Sequence, residues 1–267
     1  MQFEPITRND LAQISKLRPD DWPDIVPDFE YYLRSPFCYP IKTSLKERIV
    51  GIGTLIDFGA TCWLAHIIVD KEFRKRGIGR GITLELMDMA KKRSIPTCLL
   101  IASDMGHPVY EKVGFRMVTE YIPMKKEKLS QDEYAHDDIV PFREEYRAMI
   151  HSIDRNISGE DRSKLLREYL DNAKVYLDGS TVKGYYIPDL KQGPIYAETR
   201  EAGLALMKLK YTNTDIAVIP VDNIFALDYL KQNGFEDVGR RATRMVYGKD
   251  IVWEPEKIYG RIGGNLG

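Results

Sequence analysis

Cysteine is scarce: three residues in 267, Cys38, Cys62 and Cys98, and no Cys-x-x-Cys pair among them. That excludes a disulfide-built scaffold and a cysteine-rich zinc site, and points to a reducing compartment with buried thiols. An excess of either charge is also missing. Thirty-nine basic residues against 40 acidic ones leave a formal net charge of −1, so no global field draws the chain to nucleic acid or a membrane surface. No apolar run reaches the length of a bilayer span, and the opening MQFEPITRND is too polar for a secretion signal. The expected location is the cytoplasm. What remains is a chain 43% hydrophobic and 30% charged, able to bury one large core or two of ordinary size.

Helix-like and strand-like segments alternate. Residues 9–17 carry apolar positions at helix spacing. Residues 48–59 and 61–70 are rich in β-branched residues and joined by FGAT, which predicts two antiparallel strands. Ile78, Ile82, Leu86 and Met89 predict an amphipathic helix over 78–93. A buried strand (97–103), a short helix ending at Gly114 and a strand (116–126) follow. The polar stretch 125–138 reads as a link. Beyond it, Ser158 with Asp161 three residues on predicts a capped helix over 158–172. A hairpin (173–187), a helix (198–211), a strand (214–220), a helix (223–235) and a strand (241–248) complete the outline. The halves share this order and a Gly-Phe after the last helix, as a diverged duplication would. The expected domains are 1–128 and 129–255, with a loose glycine-rich tail over 256–267.

The loop VDKEFRKRGIGRG, Val69 to Gly81, sits between a strand and a helix, the geometry that binds an anion at a helix N-terminus. It lacks the Gly-Lys-Ser/Thr of a Walker A loop, and its third glycine comes one position early for a dinucleotide fingerprint. It does match Arg-x-x-Gly-x-Gly at Arg74, Gly77 and Gly79, and VYEKVGF (109–115) follows at one helix plus one strand. With these two motifs the chain resembles the GCN5-related N-acetyltransferase (GNAT) superfamily over roughly residues 3–125. SGEDRSKLL, GPIYAE, IPVDN and QNGF are similar to the second domain of a bacterial two-domain subgroup, the YitH-like proteins. The resemblance implies an α/β (α+β) fold: a mixed, mostly antiparallel sheet flanked by helices, then a second, degenerate GNAT-like domain.

It also implies a chemistry: acetyl transfer from acetyl-CoA to a primary amine, in a ternary complex and with no metal. Backbone groups of Ile67 and Val69 would orient the thioester. Arg74, with backbone N–H groups of Arg76, Gly77, Ile78, Gly79, Arg80 and Gly81, would hold the pyrophosphate. Ser103 or Asp104 stands where the family commonly has Asn, and Ser103 would be a further coenzyme contact. Tyr110 would donate to the departing thiolate, and His66 is a candidate general base. Strand alternation puts Leu64, His66 and Ile68 on one face; whether that face meets substrate or core stays open. The second half lacks the loop motif and has Leu230 in place of Tyr110, so its expected role is one wall of an acceptor pocket between the halves, from His151, Asp161, Tyr185, Tyr186 or Asn223. An acyl-CoA-binding sensor is the alternative function. A nucleic-acid module would spread basic and aromatic residues over one face, which a near-neutral chain does not show.

Overall fold

The computed structural model describes residues 1–128 and 134–267. They divide into two compact units: Met1–Met117 with Met245–Asp250, and Val118–Arg244 with Ile251–Asn265. The expected junction at 128/129 adjoins the five residues outside the description. By contact the second unit starts at Val118, and a later segment returns to the first.

The first unit contains β1 (Glu4–Pro5), α1 (Leu11–Ile14), α2 (Val26–Arg34), β2 (Cys38–Leu45), β3 (Arg48–Asp57), β4 (Thr61–Val69), α3 (Ile78–Lys92), β5 (Thr97–Ala102) and α4 (His107–Glu111). Its sheet runs β1-β2-β3-β4-β5, antiparallel until β4 meets β5 in parallel. The α3 stripe packs as its spacing predicts: Ile78, Ile82, Leu86 and Ala90 are buried against Leu55, Leu64 and Leu100, with Met89 half-buried at the margin. Each fully buried Ile or Leu contributes about 2 kcal/mol. The helix can lie this close because β3 carries Gly53, where a Cβ would stand 2.6 Å from Ile82.

The second unit holds most of β6 (Arg116–Lys125), then β7 (Ile139–Pro141), α5 (Arg147–Ser158), α6 (Ser163–Leu166), β8 (Lys174–Asp178), β9 (Thr181–Tyr186), β10 (Ile195–Ala197), α7 (Arg200–Tyr211), β11 (Ile216–Pro220), α8 (Ile224–Gln232) and β12 (Glu236–Asp237). After β13 (Ala242–Gly248) comes β14 (Ile258–Gly260). The order β14-β10-β9-β8-β7 makes one sheet, while β11 and β12 both pair with β6.

Two expectations need correction. Ser158 does not cap the start of a helix: it ends α5, Gly159 follows at φ +74°, and its hydroxyl accepts from Glu160 N at 3.1 Å. The residues after it form only α6 and turns. The tail is not loose either. Ile258, Tyr259 and Ile262 are buried and β14 pairs with β10, because apolar residues between the glycines outweigh the flexibility those glycines suggest.

Candidate active site

β4 and β5 pair only at Thr61↔Thr97, Cys62↔Cys98 and Trp63↔Leu99, although the strands continue to Val69 and Ala102. Beyond Trp63 they part, and the loop and α3 follow at the open end of β4. The loop is anchored from outside. Asp70, buried, accepts from Glu72 N at 3.0 Å and from Arg48 at 2.7 Å, and Arg48 also meets Glu72 at 2.6 Å. Lys75 (φ +62°) and Gly77 (φ +80°) then turn the chain left-handed on either side of Arg76. A lysine there costs about 1 kcal/mol, whereas the glycine accepts it.

Gly77 is the N-cap of α3 and offers no side chain to the helix N–H groups; a Cβ on it would meet nothing within 4 Å. Gly81 N is the first to bond within the helix, onto Gly77 O at 2.9 Å. The N–H groups of Ile78, Gly79 and Arg80 therefore precede the helical ladder, at the positive end of its dipole. Arg74 Nε donates to Val69 O at 3.2 Å, and Nη1 stands 4.0 Å from Met105 Sδ, so the guanidinium reaches from the end of β4 toward the turn after β5. Arg76 folds back onto its own loop, with Nη2 donating to Glu72 O at 3.3 Å and the guanidinium over Phe73, while Arg80 is exposed. Ser103 opens the turn into α4: its carbonyl accepts from Gly106 N and His107 N at 2.9 Å. Tyr110 is buried, packed edge-on to Phe115 at 6.1 Å and close against Gly106. Burial pushes its phenol up to about 12, so it keeps its proton throughout the neutral range.

His66 departs from the expected alternation. Ile52 pairs with Ile68 and Thr54 with Ala65, so His66 and Ile67 stand opposite Gly53 alone, and His66 takes φ +48°. This bulge turns the face over. Leu64 lies in the core under α3, and Ile67 and Val69 join it there, whereas His66 points to α2. Its ring packs against Trp22, Phe29 and Tyr32 at 6.0, 5.6 and 5.6 Å. Nδ1 is hydrogen-bonded to the Tyr32 hydroxyl at 2.8 Å, and Nε2 is 3.6 Å from Asp28 Oδ2. Burial pulls its pKa down to about 4, so it is neutral at pH 7. Sequence reasoning missed α2 and this aromatic enclosure. The signal was Pro27 in a first turn, with Phe29 and Tyr32 three apart behind it.

In the second unit Asn223 caps α8, accepting from Ala226 N at 2.9 Å, and Asp161 accepts from Ser163 N and Arg155. Tyr185 is fully buried and donates to Asp154 at 2.5 Å; Tyr186 and His151 are half-buried. Among the described residues no cluster of His, Cys, Asp or Glu could hold a metal ion, and no helix is long and apolar enough to cross a membrane.

Residues 39–127 match the model of an acetyltransferase (GNAT) domain, and residues 150–260 match a second acetyltransferase (GNAT) domain model. The chain belongs to the GNAT superfamily and carries two of its domains. A candidate acetyltransferase from Pyrococcus horikoshii shares the fold at TM-score 0.83 and 21% identity, over 100% of this chain and 95% of that one. A tandem GNAT protein from the clavulanic acid biosynthesis pathway aligns at TM-score 0.62 and 16% identity, over 92% and 98%. A GCN5-related N-acetyltransferase from Sphaerobacter thermophilus aligns at 0.65 and 12%, over 94% and 97%. Glucosamine 6-phosphate N-acetyltransferase of Trypanosoma brucei brucei is 28% identical over 76 residues, 26% of this chain and 52% of that protein. The chain thus spans about half the length of that curated relative.

Proposed function

We propose that the first unit transfers the acetyl group of acetyl-CoA to a primary amine of a small molecule, by direct attack while both are bound. The observation that carries this is the uncapped start of α3 at Gly77 beside the parted strands β4 and β5. The backbone N–H groups over residues 76–80, with Arg74, suit a pyrophosphate, because each is a donor in a positively polarised corner; Gly81 N–H, expected among them, is already bonded to Gly77 O. Backbone groups at Ile67 and Val69, on β4 beyond its last pairing with β5, would meet the pantetheine arm and the thioester. Ser103 stands at the end of β5, next to the same opening.

Tyr110 is assigned to the sulfur. With a phenol at about 12 and an alkyl thiol near 8.5, complete transfer of its proton is uphill by about 5 kcal/mol. The useful contribution is a hydrogen bond that strengthens as negative charge builds on sulfur. His66 is assigned to the amine side. Its neutral ring is the form a base requires, but a pKa of about 4 makes a standing imidazolium at pH 7 cost about 4 kcal/mol. His66 therefore passes a proton on rather than keeping it, and Asp28 beside Nε2 is the neighbouring carboxylate.

Calorimetric titration with acetyl-CoA, NAD and ATP tests the reading. Acetyl-CoA alone is expected to bind, and Arg74→Ala to weaken it about 30-fold, the loss of one charge-assisted contact. A panel of amines is then scored by release of coenzyme thiol. Heat with NAD or ATP and none with acetyl-CoA refutes the assignment.

A further inference from the structure

Cys62 on β4 and Cys98 on β5 are register partners, and their sulfurs are 3.5 Å apart. Both are buried, and neither is in a disulfide. Neighbouring strands lie about 4.8 Å apart, inside the Cα separation that a disulfide tolerates. Closing the bond asks the sulfurs to approach by about 1.5 Å, a distance side-chain rotation and a small strand adjustment cover. Cys98 has a second property. It lines a cavity of about 470 Å³ with Met87, Asp88 and Lys91 of α3, Pro96 and Tyr247. Cys98, itself buried, thus borders a space that a molecule of a few atoms can occupy.

We propose that Cys62 and Cys98 form an oxidisable dithiol site that takes hydrogen peroxide through this cavity and closes to a disulfide. The Cys98 thiolate attacks one peroxide oxygen: an S–O bond forms, the O–O bond breaks, and hydroxide leaves to take up the thiol proton as water. The Cys62 sulfur then attacks the sulfenic sulfur: the S–S bond forms, the S–O bond breaks, and the departing hydroxide takes the Cys62 proton as a second water. Two thiols lose two electrons, and one peroxide gains them. The hydrogen bond from Cys62 draws the Cys98 thiol below its ordinary pKa, against the opposing effect of burial, which favours Cys98 as the first nucleophile.

The position gives the bond a consequence. Only Trp63↔Leu99 separates the pair from the point where β4 and β5 part. A disulfide here draws the strands together at the foot of the cleft, and close-packed interiors transmit such displacements. This consequence, unlike the oxidation, rests on the acetyl-CoA reading of the cleft.

The test uses the full-length reduced protein, exposed to peroxide, then denatured for thiol counting and intact mass. Three thiols are expected to fall to one, with loss of two hydrogens, recovery by dithiothreitol and a Cys62–Cys98 peptide. Cys38→Ala is expected to lose its two remaining thiols, and Cys98→Ala to keep both of its own. Persistence of all three thiols, oxygen adducts without a crosslink, or a bridge to Cys38 overturns the site. In a second arm the oxidised protein is expected to bind acetyl-CoA about tenfold more weakly than the reduced protein, reversibly. Equal affinity of the two forms overturns the coupling to the cleft. Reduced protein that binds no acetyl-CoA sinks the coenzyme reading instead, and the thiol count still decides the dithiol.

Discussion

In the first unit the helix after the open strand starts at Gly77 with its N–H groups uncovered; in the second the matching helix, α7, starts at Thr199, whose hydroxyl accepts from Ala202 N at 3.2 Å. The same contrast recurs one step on. α4 starts at Gly106 without a side-chain cap, while Asn223 caps α8. The groove differs as well. β4 and β5 part, but β10 takes β14 as its neighbour, and Tyr259 of β14 packs so tightly on α7 that a Cβ at Gly203 would stand 2.3 Å from its ring. Asn223 Nδ2 donates to Ile258 O at 3.0 Å, tying the α8 cap to that strand. Leu230, fully buried, stands where the first unit has Tyr110. In the second unit the donors at these helix starts are met within the chain, and β14 lies where the first unit has an opening.

The polar centres under the two sheets differ too, and there the largest effect is expected. In the second unit Arg162, fully buried, is held by Asp154 at 2.6 and 3.2 Å beside the stacked Tyr185 and Tyr196. Asp154→Ala strands that charge and should cost about 3–5 kcal/mol, read as a lowered urea midpoint. An unchanged midpoint would break the claim that this unit's polar groups are structural. The first unit has the neutral His66 instead. Its folded pKa of about 4 lies below the unfolded value of 6.5, so the unfolded chain binds the proton first as pH falls. The associated stability is complete above pH 6.5, and about 3 kcal/mol of it is lost by pH 4. His66→Gln should flatten that part of the stability–pH profile; an unaltered slope means that other groups set it.

Tyr110→Phe sharpens the comparison at the sulfur. Turnover with any accepted amine should fall about 100-fold, with acetyl-CoA affinity unchanged, since the phenol acts only as charge develops. A change in affinity without a change in turnover would return Tyr110 to the role of a packed core residue, like Leu230. The smallest effect separates the two helix starts. Thr199→Ala should cost about 1 kcal/mol of stability and leave acetyl-CoA affinity alone. Gly77→Ala, with φ forced positive, should cost about 1–2 kcal/mol and weaken acetyl-CoA binding as well. Two variants with the same profile would erase the distinction.

The sequence made the turn into α3 legible because it is local: the left-handed glycine at Gly77, ahead of the helix, is a feature that spacing alone encodes. The α3 stripe was legible for the same reason. His66 was not, because one left-handed residue inverts strand alternation and leaves no mark in a pattern read two residues at a time. α2 was overlooked because its buried aromatics face a strand that lies far away in sequence. The tail misled because glycine content signals flexibility only where no groove waits to be filled.

One return of the chain bears on how the protein is made. Residues Met245–Asp250 belong to the first unit, where Lys249 N donates to Pro96 O at 3.0 Å and Thr97 Oγ1 to Lys249 O at 2.7 Å, and Met245 lies in its core. A ribosome working from the N-terminus finishes 1–117 first, yet that unit waits for a segment made after nearly all of the second. The half proposed to carry the chemistry is thus begun first but gains its returning segment only after residue 244, and a gene cut between the halves would deliver a first unit short of that segment.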